Sequence, residues 1–342
     1  MNRPLTEPSV SFVVIGLNEA ENLSASIASL SSQGYDRDDY EVIYVDSGSN
    51  DASVEIAYET HADEVILIPR REASAARARN AGFAKARTRF VHFVDGDTRL
   101  APGWTRTGVD ALVADPGLAG VEGGLREFQP DASLYDAVCE LDWPATAGPV
   151  DYVGGNALYR TQALREVGGF DPNLRAGEEP ELGARLRERG WRMCHLDAIM
   201  AHHHLDIRTW REYVRRNFTS GVACALVARK TGGLRRGAWA DRLWRTLAIA
   251  TLLTAPMILA LPLSFASPGA ARALFCAGPG LLVILAIRKA IAQQRRGIPG
   301  RLAVAFGLHS YFSKIPAAVG ILSIIARSVP PHDRTGARDG PT

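Results

Sequence analysis

The sequence predicts an α/β fold, a doubly wound sheet, followed by a C-terminal helical membrane region. Three observations carry this. Short apolar strands alternate with helical patterns through the first half of the chain. Two of those strands stop abruptly at carboxylates, one at Asp46 and one at Asp95-Gly96-Asp97. The last third holds apolar stretches long enough to cross a bilayer.

At 342 residues, 46% hydrophobic and 22% charged, the chain can bury a full core and carry an appendage. The net charge of +2 conceals a split, because nearly all the acids precede about residue 212 while the remainder is apolar and basic. Nucleic-acid binding gains no support from that pattern. The 4 cysteines, Cys139, Cys194, Cys224 and Cys276, show no CxxC spacing, which fits a reducing compartment and argues against a zinc site or a disulfide framework. Residues 10–15 form the first apolar run, too short for a signal-peptide core, so the N-terminal part is expected in the cytosol.

In chain order, residues 11–16 read as a strand, 18–22 (NEAEN) as a loop with a helix start, and 23–30 as a helix by their apolar spacing. Residues 40–45 return as a second strand ending in DSGSND, where Asp51 can cap a helix beginning near Ala52. A third strand over 64–68 leads through Arg70-Arg71 to a helix over 73–86 that carries Arg77, Arg79 and Asn80. The fourth strand, within FVHFVDGDTRL at 90–100, ends in the two acids. Carboxylates at the end of a buried strand are costly unless a cation or strong donor neutralises them, and Gly96 lets the backbone turn so that both face one point. Hard oxygens suit Mg2+ or Mn2+. Parallel sheets bind ligands at the carboxyl ends of their strands, where Asp46, Asp95 and Asp97 all fall, with Arg77 and Arg79 on the adjacent helix.

GLNEAEN after the first strand, VDSGSND after the second, ARARNAGFAKA before the fourth and VDGDTRL after it are followed by Gly154-Gly155-Asn156, Tyr159-Arg160, Val167-Gly168-Gly169-Phe170-Asp171 and Gly177-Glu178-Glu179-Pro180-Glu181-Leu182. Over about residues 9–222 this series resembles the family 2 glycosyltransferases, whose GT-A fold is a Rossmann-like mixed sheet. The resemblance implies a donor pocket lined by Asn18, Glu19, Asp46 and Gly155, with Asp46 on the base, usually uracil. It implies that Asp95 and Asp97 hold a divalent ion against the donor diphosphate, and the position of Arg77 and Arg79 beside the acids Asp46, Asp95 and Asp97 reads as a cradle for that metal-nucleotide diphosphate. Glu179 stands where the family places its general base, and an inverting displacement needs such a carboxylate to take the acceptor's proton. Two departures stand out. Ser47 replaces an acid, and Glu179 replaces an Asp, which leaves the base open between Glu178 and Glu179.

Of His202-His203-His204, which follow an expected short strand over 198–201, His202 aligns as the metal-side histidine, although on an extended chain neighbouring side chains point alternately. The basic, aromatic stretch REYVRRNFTSG at 211–221 resembles the helix that closes the site in membrane-associated members. Arg215 or Arg216 there can meet a diphosphate or an anionic lipid headgroup, and both readings stand.

Residues 246–266 are a charge-free run of about 21 residues, enough for a hydrocarbon core of roughly 30 Å. Residues 273–287 form a shorter second run interrupted by Gly278-Pro279-Gly280, and arginines bracket the pair, which predicts a hairpin with both flanks in the cytosol. Residues 302–326, with His309, Lys314 and Pro316 inside, read as a third span or a re-entrant helix. The expected organisation is a cytosolic catalytic domain at 1–222, a basic amphipathic linker at 223–245, a membrane region at 246–326 and a basic tail at 327–342. The expected function is inverting transfer of a sugar from a nucleotide-sugar donor, UDP-linked by resemblance, to a lipid-linked or envelope glycan acceptor. That transfer is placed at the inner face of a cytoplasmic membrane whose lipids the basic segments touch. Two alternatives accompany it: a polyprenyl-phosphate sugar transferase, and a catalytically silent nucleotide-binding subunit of a glycan assembly or export complex.

Overall fold

The first strand, β1 (Val10–Gly16), is buried at every residue, as a parallel strand covered by helices on both faces must be. The βα repeats continue through α1 (Leu23–Leu30), β2 (Tyr40–Asp46), α2 (Ser53–Glu59), β3 (Glu64–Leu67), α3 (Ala75–Lys85) and β4 (Phe90–Asp95). β1 lies between β2 and β4, with β3 outside β2, and all these pairs are parallel. The register sets Gly16 beside Asp46 and Ile15 beside Asp95, so the two acid-ended strands flank β1 at one rim of the sheet. Strand order reverses at β1, and such a switch point opens a crevice outside the carboxyl ends.

The computed structural model describes residues 10–60, 62–129, 132–143, 146–203 and 205–327. After β4 the chain continues as β5 (Thr98–Leu100), α4 (Trp104–Ala114), β6 (Leu118–Glu127), α5 (Leu134–Glu140), β7 (Gly148–Val150), β8 (Leu158–Arg160), α6 (Thr161–Val167), α7 (Glu178–Glu188) and β9 (Arg192–His203). β8 runs antiparallel between β4 and β6, β9 lies parallel to β6, and β5 and β7 pair antiparallel with β9. The order β3-β2-β1-β4-β8-β6-β9-β5 is the doubly wound mixed sheet that the sequence predicts. The expected strand over 198–201 is the end of the longer β9. The helix expected over 73–86 begins at Ala75, because the Ser74 hydroxyl caps it by accepting the Arg77 N–H at 3.2 Å.

Alternation along β1 and β4 sends Phe12 and Phe90 to one core, with Tyr44, Trp104 and Leu112, and Val13 and Phe93 to the other, with Val45, Tyr159 and Phe170. On the second face Phe93 meets Phe170 and Tyr159 edge-on, with centroids 5.3 and 5.9 Å apart. Helix α3 lies against β1 and β2 at Gly82, where any side chain would strike Val13 and Val45.

The contacts divide the chain into two units, Met1–Thr209 and Trp210–Thr342. The boundary expected at 222 falls inside the continuous helix α8 (Trp210–Lys230), so the anticipated linker over 223–245 is the end of that helix, a short turn and the start of the next. The second unit adds α9 (Ala238–Leu263), α10 (Pro268–Gln294), α11 (Gly300–Phe312) and α12 (Lys314–Ala326). Ala238–Leu263, Pro268–Gln294 and Gly300–Ala326 are each long and apolar enough to cross a membrane. The second run is no short segment: Pro279 is accommodated within a helix of 27 residues. Glycines set the close approaches, with Gly278 against Leu253, Gly307 against Ala286, and Gly221 and Gly320 against the backbones of Ala317 and Phe218. The expected tail at 327–342 lies outside the described residues apart from Arg327.

Phe93→Ala is expected to destabilise the first unit by about 3–5 kcal/mol, because three rings interlock at that point. Pulse proteolysis of the full-length protein in urea measures it, and an unchanged midpoint would contradict the packing.

Candidate active site

Strand β4 delivers Asp95 to the rim because its five preceding residues are buried. The turn beyond it is pinned where the Gly96 N–H donates to the Ile15 carbonyl at 2.8 Å. Glycine is required there, since a Cβ would lie 2.9 Å from the Glu19 side chain and 3.2 Å from that carbonyl. Asp97 then faces β9, whose His203 Nε2 lies 3.6 Å from Asp97 Oδ1. Ligand atoms of Asp95, Asp97 and His203 all fall within 4.8 Å of one another. Two hard carboxylates and an imidazole suit a divalent cation. The charge balance agrees, because burial first and the charge of Asp97 second push the Glu19 carboxyl up to about 7, a local excess of negative charge.

One guanidinium underlies the cluster. Arg79, on α3 and only 3% exposed, donates from Nη2 to Asp95 Oδ1 at 2.9 Å and from Nη1 to Glu178 Oε1 at 3.0 Å, with Glu179 Oε1 at 3.6 Å. Burial opposes its charge, but Asp95, Glu179 and Glu178 outweigh burial and hold it firmly protonated. Gly155 lies directly over this guanidinium and leaves no room for a side chain. Asn156 completes the hold on Asp95: its Nδ2 donates to Oδ2 at 3.1 Å, and its Oδ1 accepts the Asp95 N–H at 2.7 Å. Both oxygens of Asp95 are thereby oriented before any ligand arrives.

Glu178 and Glu179 open α7 after Gly177, which adopts φ +81°. A helix N-terminus tolerates acids. The two differ in availability. Glu178 is buried and hydrogen-bonded to Arg79, whereas the Glu179 side chain keeps 22% exposure. Burial and the neighbouring Glu178 charge raise the Glu179 carboxyl to about 7 against the opposing pull of Arg79.

Across the switch point, Asn18 (φ +61°) accepts the Asn50 N–H at 3.0 Å and donates its own N–H to Ser49. Asp46 is turned inward: Oδ1 accepts the Gly48 and Ser49 N–H groups at 2.8 Å each, and Oδ2 accepts the Tyr44 hydroxyl at 3.1 Å. A cleft of about 280 Å³ is lined by Gly16, Glu19, Ser47, Ser74, Asp95 and Asp97, among others.

The structure therefore brings Glu19, Arg79, Asp95, Asp97, Gly155, Glu178 and Glu179 into one constellation, with Asp46 and Asn18 shaping its neighbouring loop. Three expectations change. The histidine beside Asp95 and Asp97 is His203 and not His202, because the pleat turns His202 to the other face, against Phe128 with centroids 6.1 Å apart. Arg77 is exposed and donates to the Pro172 carbonyl at 3.1 Å, away from the acids. Arg79 is buried, with both of its Nη atoms on carboxylates. Arg215 is an exposed residue of α8 in the second unit. Asn156 was within reach of sequence reasoning as the polar end of Gly-Gly-Asn, but only the fold shows that it grips Asp95.

Residues 11–130 match the family model Glycosyl transferase family 2. The pre-mycofactocin glycosyltransferase of Mycobacterium tuberculosis is 31% identical over 307 residues, covering 83% of this chain and 63% of that protein. The chain thus spans less than two thirds of that relative's length. Glycosyltransferase AglE of Haloferax volcanii is 27% identical over 224 residues, covering 63% of this chain and 73% of that protein. Among solved structures, the mannosyltransferase PcManGT from Pyrobaculum calidifontis, in complex with GDP-Man and Mn2+, aligns with a TM-score of 0.64 at 21% identity, over 93% of this chain and 88% of that chain. The likeness is one of fold, the Rossmann-like GT-A sheet.

Because Asn156 orients Asp95 from behind, Asn156→Ala is expected to weaken Mn2+ binding about 10–100-fold. Paramagnetic resonance titration of the purified chain reads this directly, and an unchanged affinity would detach Asn156 from the site.

Proposed function

We propose that the chain, whose residues 11–130 match the glycosyl transferase family 2 model, transfers a sugar from a nucleotide-sugar donor to a glycan or lipid-linked acceptor, with inversion. The observation that carries this is the shared guanidinium: Arg79 ties the cation-side Asp95 to the helix start that presents Glu179. A base and a cation-binding pair thereby stand on one rigid frame. Glu179, accessible and raised to about 7, takes the proton of the acceptor hydroxyl. The acceptor oxygen forms its bond to the anomeric carbon as the bond from that carbon to the diphosphate oxygen breaks. Glu178, buried and hydrogen-bonded to Arg79, is assigned the part of fixing the helix start beside Glu179.

Asp95, Asp97 and His203 would hold Mg2+ or Mn2+. When bound, the ion supplies charge neutralisation at the departing diphosphate. The cleft along Glu19, Ser47 and Ser74 is where we place the nucleotide, and a UDP-linked donor remains the reading from the motif resemblance. Three apolar helices support attachment to a membrane. With Arg235, Arg236, Arg242 and Arg245 around the start of the first helix and Arg288, Lys289, Arg295 and Arg296 around the end of the second, the hairpin would keep both flanks cytosolic. Tethering to the bilayer raises the effective concentration of a lipid-linked acceptor.

Membranes carrying the full-length protein should consume one nucleotide sugar from a panel only with Mn2+ or Mg2+, and the Asp97→Asn variant should consume none. Binding of nucleotide without turnover, even with lipid extract supplied, would favour the silent-subunit alternative. Glu179→Gln should lower turnover at least about 100-fold; retained turnover would point to a phosphate nucleophile on a polyprenyl carrier, which needs no strong base. Since Glu179 must be ionised to accept a proton, kcat/KM should rise with pH up to about 7 and level off above it. A rate independent of pH between about 5.5 and 8 would remove Glu179 as the base.

A further inference from the structure

Beneath the loop that carries Gly155 and Asn156 lie two buried polar groups to which the transfer reaction assigns nothing. Glu122 on β6 and His195 on β9 are register partners, 8% and 4% exposed. The imidazole Nδ1 sits 3.2 Å from Glu122 Oε1, and with the proton on that nitrogen it donates to the carboxylate. The second oxygen, Oε2, accepts the Gly154 N–H at 2.7 Å. A buried carboxylate is expensive, and burial pushes this one up. Its only described partners are the imidazole and that loop amide.

The two residues after Gly154 are the part of the site that needs the tightest placement. Gly155 lies over the Arg79 guanidinium with no space to spare, and Asn156 grips Asp95 through both ends of its amide. Val153, on the other side of Gly154, is fully buried in the core beside Phe93 and Tyr159. A shift of the loop by a fraction of an ångström would push Gly155 into Arg79 or lift Asn156 off Asp95. A neutral acceptor at position 122 would hold Gly154 more weakly, because hydrogen bonds to a charged acceptor are about twice as strong.

We propose that Glu122 and His195 are a buried positioning pair that fixes the Gly154 amide and, through Asn156, sets the orientation of the cation ligand Asp95. The imidazole's part is to keep Glu122 ionised and aimed at the loop, so that three strands, β4, β6 and β9, jointly determine where one carboxylate points. The proposal rests on reading Asp95 as a cation ligand, and the test separates the two.

Hydrogen–deuterium exchange of the full-length protein, with peptides spanning 152–157, reads the loop whether or not a metal binds. Glu122→Gln should speed exchange in that segment about tenfold while β1 and β2 stay as protected as in the parent, and His195→Gln should act in the same direction. Mn2+ affinity should fall about tenfold in Glu122→Gln, and combining it with Asn156→Ala should weaken binding no further than Asn156→Ala alone. If Glu122→Gln does not fold, His195→Gln carries the same comparison. Unchanged exchange at 152–157, exchange that rises equally over the whole first unit, or affinity losses that multiply in the double variant would each overturn the proposal. A parent protein that binds no Mn2+ would instead overturn the cation reading of Asp95, and the exchange data would still decide whether the pair holds the loop.

Discussion

Everything at the rim of the sheet depends on one buried guanidinium. The charge of Arg79 is offset by the acids around it, Asp95 from the fourth strand and Glu178 and Glu179 from the start of α7. A buried Arg without partners would be prohibitively costly, and buried acids without Arg79 would be protonated or would open the site to water. Neither side is stable alone, so α3, β4 and α7, which are distant in sequence, are forced to a single relative position. Arg79 also decides which acids remain available. It takes Glu178 and one oxygen of Asp95, while Glu179 stays partly exposed at 3.6 Å and Asp97 lines the cleft.

That division explains both what the sequence disclosed and what it withheld. The strands were legible because apolar runs end in Asp46 and Asp95, and their parallel pairing followed from the βα alternation. The two acids of Asp-Gly-Asp at the end of a buried strand call for a cation or a strong donor, and Arg79 supplies one for Asp95. A guanidinium shared by acids at positions 95, 178 and 179 cannot be seen in a linear pattern, however. Arg77 and Arg79 look alike on paper, two residues apart on one helix, yet α3 turns Arg79 inward and leaves Arg77 on Pro172. The same limit applied to the histidines. Choosing between His202 and His203 requires the phase of β9, and that phase is set by bulges against β6 that shift the register between Glu122 and Leu125.

In the last third, hydropathy located the apolar stretches but not their ends. A charge-free window begins at Thr246, whereas the helix starts at Ala238 and carries Arg242 and Arg245 along its first turns. Helix limits follow backbone hydrogen bonding, which continues past the charges, while hydropathy follows only the side chains. Gly278 reads as part of an interruption in sequence, but in the folded unit it lets α10 lie close against the Leu253 carbonyl of α9.

The charges of the site also couple the rim aspartates to Glu179. Four carboxylates, those of Asp95, Asp97, Glu178 and Glu179, share the single positive charge of Arg79, with Glu19 close by. The deficit falls on acids that Arg79 does not hydrogen-bond, and both Glu19 and Glu179 are raised to about 7. Asp95 is among the charges that raise each of them. Neutralising Asp95 therefore lowers the affinity of Glu179 for its proton, and linkage requires that ionised Glu179 in turn favours positive charge at Asp95. Positive charge at the rim thus favours the ionised form of Glu179, so the frame that positions this carboxyl also sets its protonation.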